Sequence, residues 1–152
     1  MTGSRISRRV FLDRMEWVDR MVAQIRALPL ADRAAFLADS RNVGAAESCL
    51  RRALEAIFDA GRHILAKGFA AGVSEYRQIA DGLTERGILT PQQAKLLRIL
   101  AGYRNRLVHF YHEVSSEELY QICAEQLGDV TRIADALRQW VKAHPQLVDP
   151  AL

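Results

Sequence analysis

The sequence predicts an all-α protein, an up-and-down four-helix bundle with one short extra helix, and three observations carry that prediction. Apolar residues recur three and four positions apart through most of the 152-residue chain, which gathers them on one face of a helix. No segment sustains the period-two alternation of a half-buried strand. Capping residues, prolines and glycines divide the periodic segments and leave only short connections between them.

The first segment runs from about Ser7 to Leu28, with Val10, Phe11, Met15, Val18, Met21, Val22 and Ile25 on its apolar face, and Pro29 closes it. Leu30, Phe36 and Leu37 mark a short helical turn within 30–40. From about Asn42 to Lys67, Val43, Ala46, Leu50, Leu54, Ile57, Gly61 and Ile64 alternate steps of three and four. Such a seam suits packing along another long helix, and Gly61 lets the backbones approach. Gly68 and Gly72 interrupt the pattern. A shorter helix is expected between Ser74 and Gly87, capped by Ser74, with Tyr76, Ile79 and Leu83 facing inward and Gly87 ending it. Thr90, Pro91 and Gln93 give the cleanest start signal, a capping box with proline at the first helical position, for a helix from Pro91 to about Tyr111. Ser115 and Glu118 offer a second capping box. Leu119, Ile122, Leu127, Val130, Ile133, Leu137 and Val141 then make one final helix that stops before Pro145.

This pattern fits one domain over residues 1–152, with a core of about 8–143 and flexible termini. A chain with 49% hydrophobic and 26% charged residues is soluble and globular. It contains no apolar run near the roughly 18 to 20 residues that span a bilayer. The basic segment Met1–Arg9 is followed by Asp13, Arg14, Glu16, Asp19 and Arg20, which leaves no uncharged stretch for a secretory signal, so a cytoplasmic protein is expected. A net charge of +3 is compatible with a polyanionic partner without demanding one. Arg5, Arg8 and Arg9 read as a solvated terminus. Cys49 and Cys123 lack a Cys-x-x-Cys spacing and read as buried thiols.

The chemistry is concentrated in Arg104-Asn105-Arg106-Leu107-Val108-His109-Phe110-Tyr111. On a continuous helix Arg104 and His109 project about 140° apart, whereas Asn105 aligns with His109 and Arg104 aligns with Tyr111 seven positions on. Ala101 and Gly102 precede the Asn105 and His109 face by one turn, and small residues there permit close contact with a second helix. A site for one phosphodiester is most easily assembled if two copies of this helix meet about a two-fold axis, each supplying an Arg and a His, which implies a homodimer. Each residue also has a plainer reading. Arg104 lies on the stripe of Leu97, Leu100 and Leu107, where it could pair with Glu55 or Asp59, and Tyr111 could be a half-buried aromatic. His63 and His112 read as surface residues. His109 and His112 lack a third ligand, so no metal is expected.

The Arg-x4-His-x-Tyr spacing with Asn after the Arg resembles the signature of the HEPN superfamily, and "RNRLVHFYHEV" is most similar to its HepT-like ribonuclease toxins. Tyr76, "ERGILT" and "RRALEAIFDAGRHILAK" extend the resemblance over roughly residues 8–140. Ser115 departs from relatives that carry Asp there, a change confined to the cap of the final helix. The resemblance implies the HEPN helical fold and a metal-independent endoribonuclease without cofactor. It would act as the toxin of a type VII-like pair with a cognate MntA-like nucleotidyltransferase antitoxin. It assigns Arg104 and His109 to catalysis, Asn105 to a supporting place, and Tyr111 to adenylylation by the antitoxin. The chemistry is coherent: histidine exchanges protons near neutral pH, arginine presents a fixed charged fork to phosphate, and an added adenylate would block RNA from the cationic groups. The alternative is a non-catalytic helical module that binds a nucleotidyltransferase partner or a nucleotide. A purely structural helical dimer is a weaker third reading.

Overall fold

The computed structural model describes residues 5–151; residues 1–4 of the basic N-terminal segment and residue 152 lie outside the described residues. Seven α-helices follow one another among the described residues: α1 (Arg8–Arg26), α2 (Arg33–Ala38), α3 (Ser40–Phe69), α4 (Tyr76–Glu85), α5 (Pro91–His109), α6 (Ser116–Glu125) and α7 (Leu127–Ala143). The long helices α1, α3 and α5, with α6 and α7 continuing as the fourth arm, form the bundle. α4 is the short extra helix. α3 is the axis of the molecule and touches every other helix. Its Leu50, Leu54, Ile57, Phe58, Ile64 and Leu65 are buried, as are Phe11, Met15, Val18, Met21 and Ile25 of α1.

Local chemistry sets most of the boundaries. Thr90 Oγ accepts from the Gln93 N–H at 3.1 Å and the Gln93 side chain returns to the Thr90 N–H at 3.0 Å, so the capping box at the start of α5 forms in full. Gly61 faces α4 so closely that a Cβ there would stand 3.0 Å from Ile79 and 3.1 Å from Leu83. Gly87 ends α4 with φ +72°, a backbone region costly for a residue with a Cβ. Cys49 and Cys123 are buried free thiols, and burial pushes the Cys123 thiol up to about 12.

Several expectations are corrected. α3 continues through Gly68 to Phe69, whose ring packs 5.8 Å from Trp140 of α7. α4 begins one position late for Ser74 to cap it; Glu75 is the N-cap and makes no side-chain capping bond. The final segment is two helices, because Gln126 leaves helical geometry (φ −117°, ψ 3°) and its amide oxygen accepts from the Tyr103 hydroxyl at 2.8 Å. Gly128 just beyond it adds little to hold the two together. A two-residue parallel pairing also forms, Ile6 with Val148 and Ser7 with Asp149, so the segments flanking the bundle are tied to each other. His63 is half-buried rather than on the surface, and its Nε2 accepts from the Ser7 N–H at 2.9 Å.

Candidate functional site

α3, α4 and α5 converge on Arg104. Its side chain is only 20% exposed, with the guanidinium 4.4 Å above the Tyr76 ring and Nη2 3.9 Å from Glu55 Oε1. Tyr76 is in turn stacked on Phe58, with centroids 4.5 Å apart and planes inclined by 2°. Arg104 thus ends a three-layer stack whose base, Phe58, is fully buried. Its Nη1 donates to Asn105 Oδ1 at 3.3 Å, while the buried Nε has no partner among the described residues. Both plain and chemical readings of Arg104 meet here: it approaches Glu55 as a structural cation would, yet it opens onto a cavity of about 470 Å³. Arg62 of α3, Tyr76 and Arg77 of α4, and Asn105 share that cavity.

His109 is the last residue of α5; it is exposed and lies outside the cavity lining. One chain therefore brings Arg104 and Asn105 together at the cavity and leaves His109 outside it, one turn beyond Asn105 and offset by about 140° from Arg104. Beyond His109, Phe110 leaves helical geometry (φ −133°, ψ 38°), and Tyr111–Glu113 form a 3-10 turn. The expected helix end at Tyr111 is thus two residues too long, and the alignment of Arg104 with Tyr111 is not realised. The Tyr111 ring stands 63% exposed, not half-buried, and is edge-on to His112 at 5.9 Å.

The turn is bracketed by an ion pair. Arg106 grips Glu118 with both terminal nitrogens, Nη2 to Oε2 at 2.8 Å, and this hydrogen bonding holds the Glu118 carboxyl below its usual range. Glu118 therefore forms only half of the second capping box: its N–H reaches Ser115 Oγ at 3.1 Å, but its carboxylate goes to Arg106. Sequence reasoning missed Arg62 and Arg77. Arg62 follows Glu55 by seven positions, hence on the same face of α3, and that register was the available signal. Nothing local marks Arg77, which reaches the cavity through the packing of α4.

The sequence matches a family model described as Ribonuclease HepT-like over residues 18–137. No curated protein gives a significant match. Among solved structures, one described as a tri-AMPylated Shewanella oneidensis HEPN toxin in complex with MNT antitoxin is similar at 20% identity. Its TM-score is 0.75, with 86% of this chain and 97% of that chain covered. The cytosolic protein of unknown function YutE from Bacillus subtilis aligns at 18% identity and TM-score 0.77, covering 93% of this chain and 94% of its own. A toxin–antitoxin complex with AMP-PNP aligns at 18% identity and TM-score 0.73, covering 84% and 97%. At these identities the likeness establishes a common helical fold.

Proposed function

The chain belongs to the HepT-like ribonuclease family, and from that premise we propose that it is a metal-independent endoribonuclease, the toxin of a type VII-like toxin–antitoxin pair. The observation that carries the reading is Arg104, a guanidinium held by Tyr76 and Glu55 at the mouth of a cavity, its Nε without a partner among the described residues, on the same helix as an exposed His109. Arg104 supplies fixed positive charge to a phosphorane, and Asn105, within hydrogen-bond distance of it, orients the fork. His109 moves the proton between the 2′-hydroxyl and the leaving 5′-oxygen.

Because one chain leaves His109 outside the Arg104 cavity, the complete site requires a second copy. A homodimer along α5 is supported by an exposed stripe of Ile99 (44% exposed), Gly102 with open space around it, Asn105 and His109, continued by Phe110 (49% exposed). Tyr111 is the residue an MntA-like nucleotidyltransferase antitoxin would adenylylate: its phenol is accessible and sits two residues from His109. The similar HEPN toxin that is tri-AMPylated in complex with its antitoxin supports that partner and that modification. Among the described residues no helix is long and apolar enough to cross a membrane, and the likeness to a cytosolic protein supports a cytoplasmic place of action.

The test is incubation of the purified protein with RNA in EDTA. The wild type is expected to cleave and His109→Ala to lose roughly 10²-fold or more. Uncleaved RNA with the wild type, or equal cleavage by the variant, refutes the enzyme and leaves the non-catalytic module.

A further inference from the structure

We propose that Arg62 and Arg77 form a second phosphate-binding subsite beside Arg104, one that holds the RNA backbone next to the scissile linkage; this rests on the ribonuclease reading above. The cavity collects three guanidinium groups from three different helices, Arg62, Arg77 and Arg104; Glu75 is the one carboxylate of its lining, while Asp59 and Glu55 approach Arg62 and Arg104 from outside it. Arg77 is exposed and enters no ion pair among the described residues. Arg62 meets Asp59 at 3.2 Å, but both side chains are more than a third exposed, so that pair gives little stability and leaves the guanidinium available to an anion.

The aromatic group in the cavity decides which part of RNA is held. Tyr76 is stacked on Phe58, and the guanidiniums of Arg104 and Arg62 lie over it at 4.4 and 5.7 Å. It offers no open face for a base, so the stacking platform typical of sequence-tolerant single-strand binding is missing. What remains is positive charge with planar donor forks, which suits phosphodiester oxygens and reads no base edge. The subsite therefore fixes the register of the strand over Arg104 without selecting sequence.

The experiment titrates wild type, Arg77→Ala, Arg62→Ala and, as a charge control on α7, Arg132→Ala with a labelled 2′-O-methyl single-stranded oligoribonucleotide at several salt concentrations. Each of the first two variants is expected to bind about tenfold more weakly at low salt. Each should also lower the dependence of log affinity on log salt by about 0.7, while Arg132→Ala matches wild type. On cleavable RNA both cavity variants should raise KM while keeping most of kcat. If wild type binds and cleaves RNA but Arg77→Ala and Arg62→Ala bind with unchanged affinity and salt slope, the subsite is overturned and the ribonuclease reading stands. If wild type binds no RNA, both fall. Variants that bind RNA normally but lose a nucleotidyltransferase partner would assign the cavity to that protein and overturn the subsite as well.

Discussion

Replacing Tyr76 by leucine isolates the support beneath Arg104. A guanidinium over an aromatic ring is stabilised by about 0.5 to 1 kcal/mol in exposed sites and about 2 kcal/mol when desolvated. With Arg104 only 20% exposed and its guanidinium 4.4 Å from the ring centroid, the upper part of that range applies, about 1 to 2 kcal/mol. The other supports are weaker, because Glu55 at 3.9 Å is beyond hydrogen-bond distance and Asn105 accepts only one long bond at 3.3 Å. If Arg104 acts on the transition state, Tyr76→Leu should lower kcat/KM by roughly 5- to 30-fold. It should also destabilise the fold by about 0.5 to 1.5 kcal/mol through loss of the stack on Phe58. Tyr76→Phe keeps the ring, and the Tyr76 hydroxyl makes no hydrogen bond among the described residues, so its activity should stay within about twofold of wild type. Initial rates on single-stranded RNA in EDTA, with urea unfolding of each variant, give both quantities. Full activity in Tyr76→Leu, or an equal loss in Tyr76→Phe, would refute the idea that the stack positions Arg104.

Two further outcomes follow from the same geometry. If the proposed antitoxin adenylylates Tyr111, Tyr111→Phe should leave RNA cleavage intact while abolishing the adenylate mass increment seen with wild type on co-expression with that nucleotidyltransferase; an increment on the variant would move the modification elsewhere. Burial, together with the nearby cations of Lys67 and Arg14, lowers the His63 pKa below its ordinary 6.5, and only the neutral ring accepts from Ser7. Its folded pKa lies below the unfolded one, so its stabilising contribution is complete above about pH 6.5 and declines as pH falls from there toward the folded value. Urea midpoints should drop more for wild type than for His63→Gln between about pH 7.5 and pH 5.5, and parallel curves would contradict this assignment.

How legible each feature was in the sequence depended on how local its cause is. The start of α5 was readable because Thr90, Pro91 and Gln93 interact only with one another. The core faces of α1 and α3 were readable because helical periodicity reports burial directly, with the exception of Val10 in the first turn of α1, which is exposed. The end of α5 was not, since Phe110 departs from the helix where Arg106 turns to Glu118 twelve residues away. The break at Gln126 depends likewise on Tyr103 of another helix. In the candidate site, Arg104, Asn105, His109 and Tyr111 stood out because they are polar residues crowded into one short stretch. Arg62 and Arg77 did not, because they lie on other helices: the packing of α5 against α3 brings Arg62 beside Arg104, and the packing of α4 against both brings Arg77.

The central claim is that the reacting site is shared, an Arg104 from one copy working with a His109 from the other. It is tested most directly by a heterodimer of Arg104→Ala and His109→Ala chains, isolated through two different tags and assayed on RNA in EDTA. Each variant homodimer lacks one role entirely, whereas the heterodimer keeps one intact arginine and one intact histidine on opposite copies. Cleavage by the heterodimer well above both homodimers is the expected result; a heterodimer no more active than the better homodimer would contradict it.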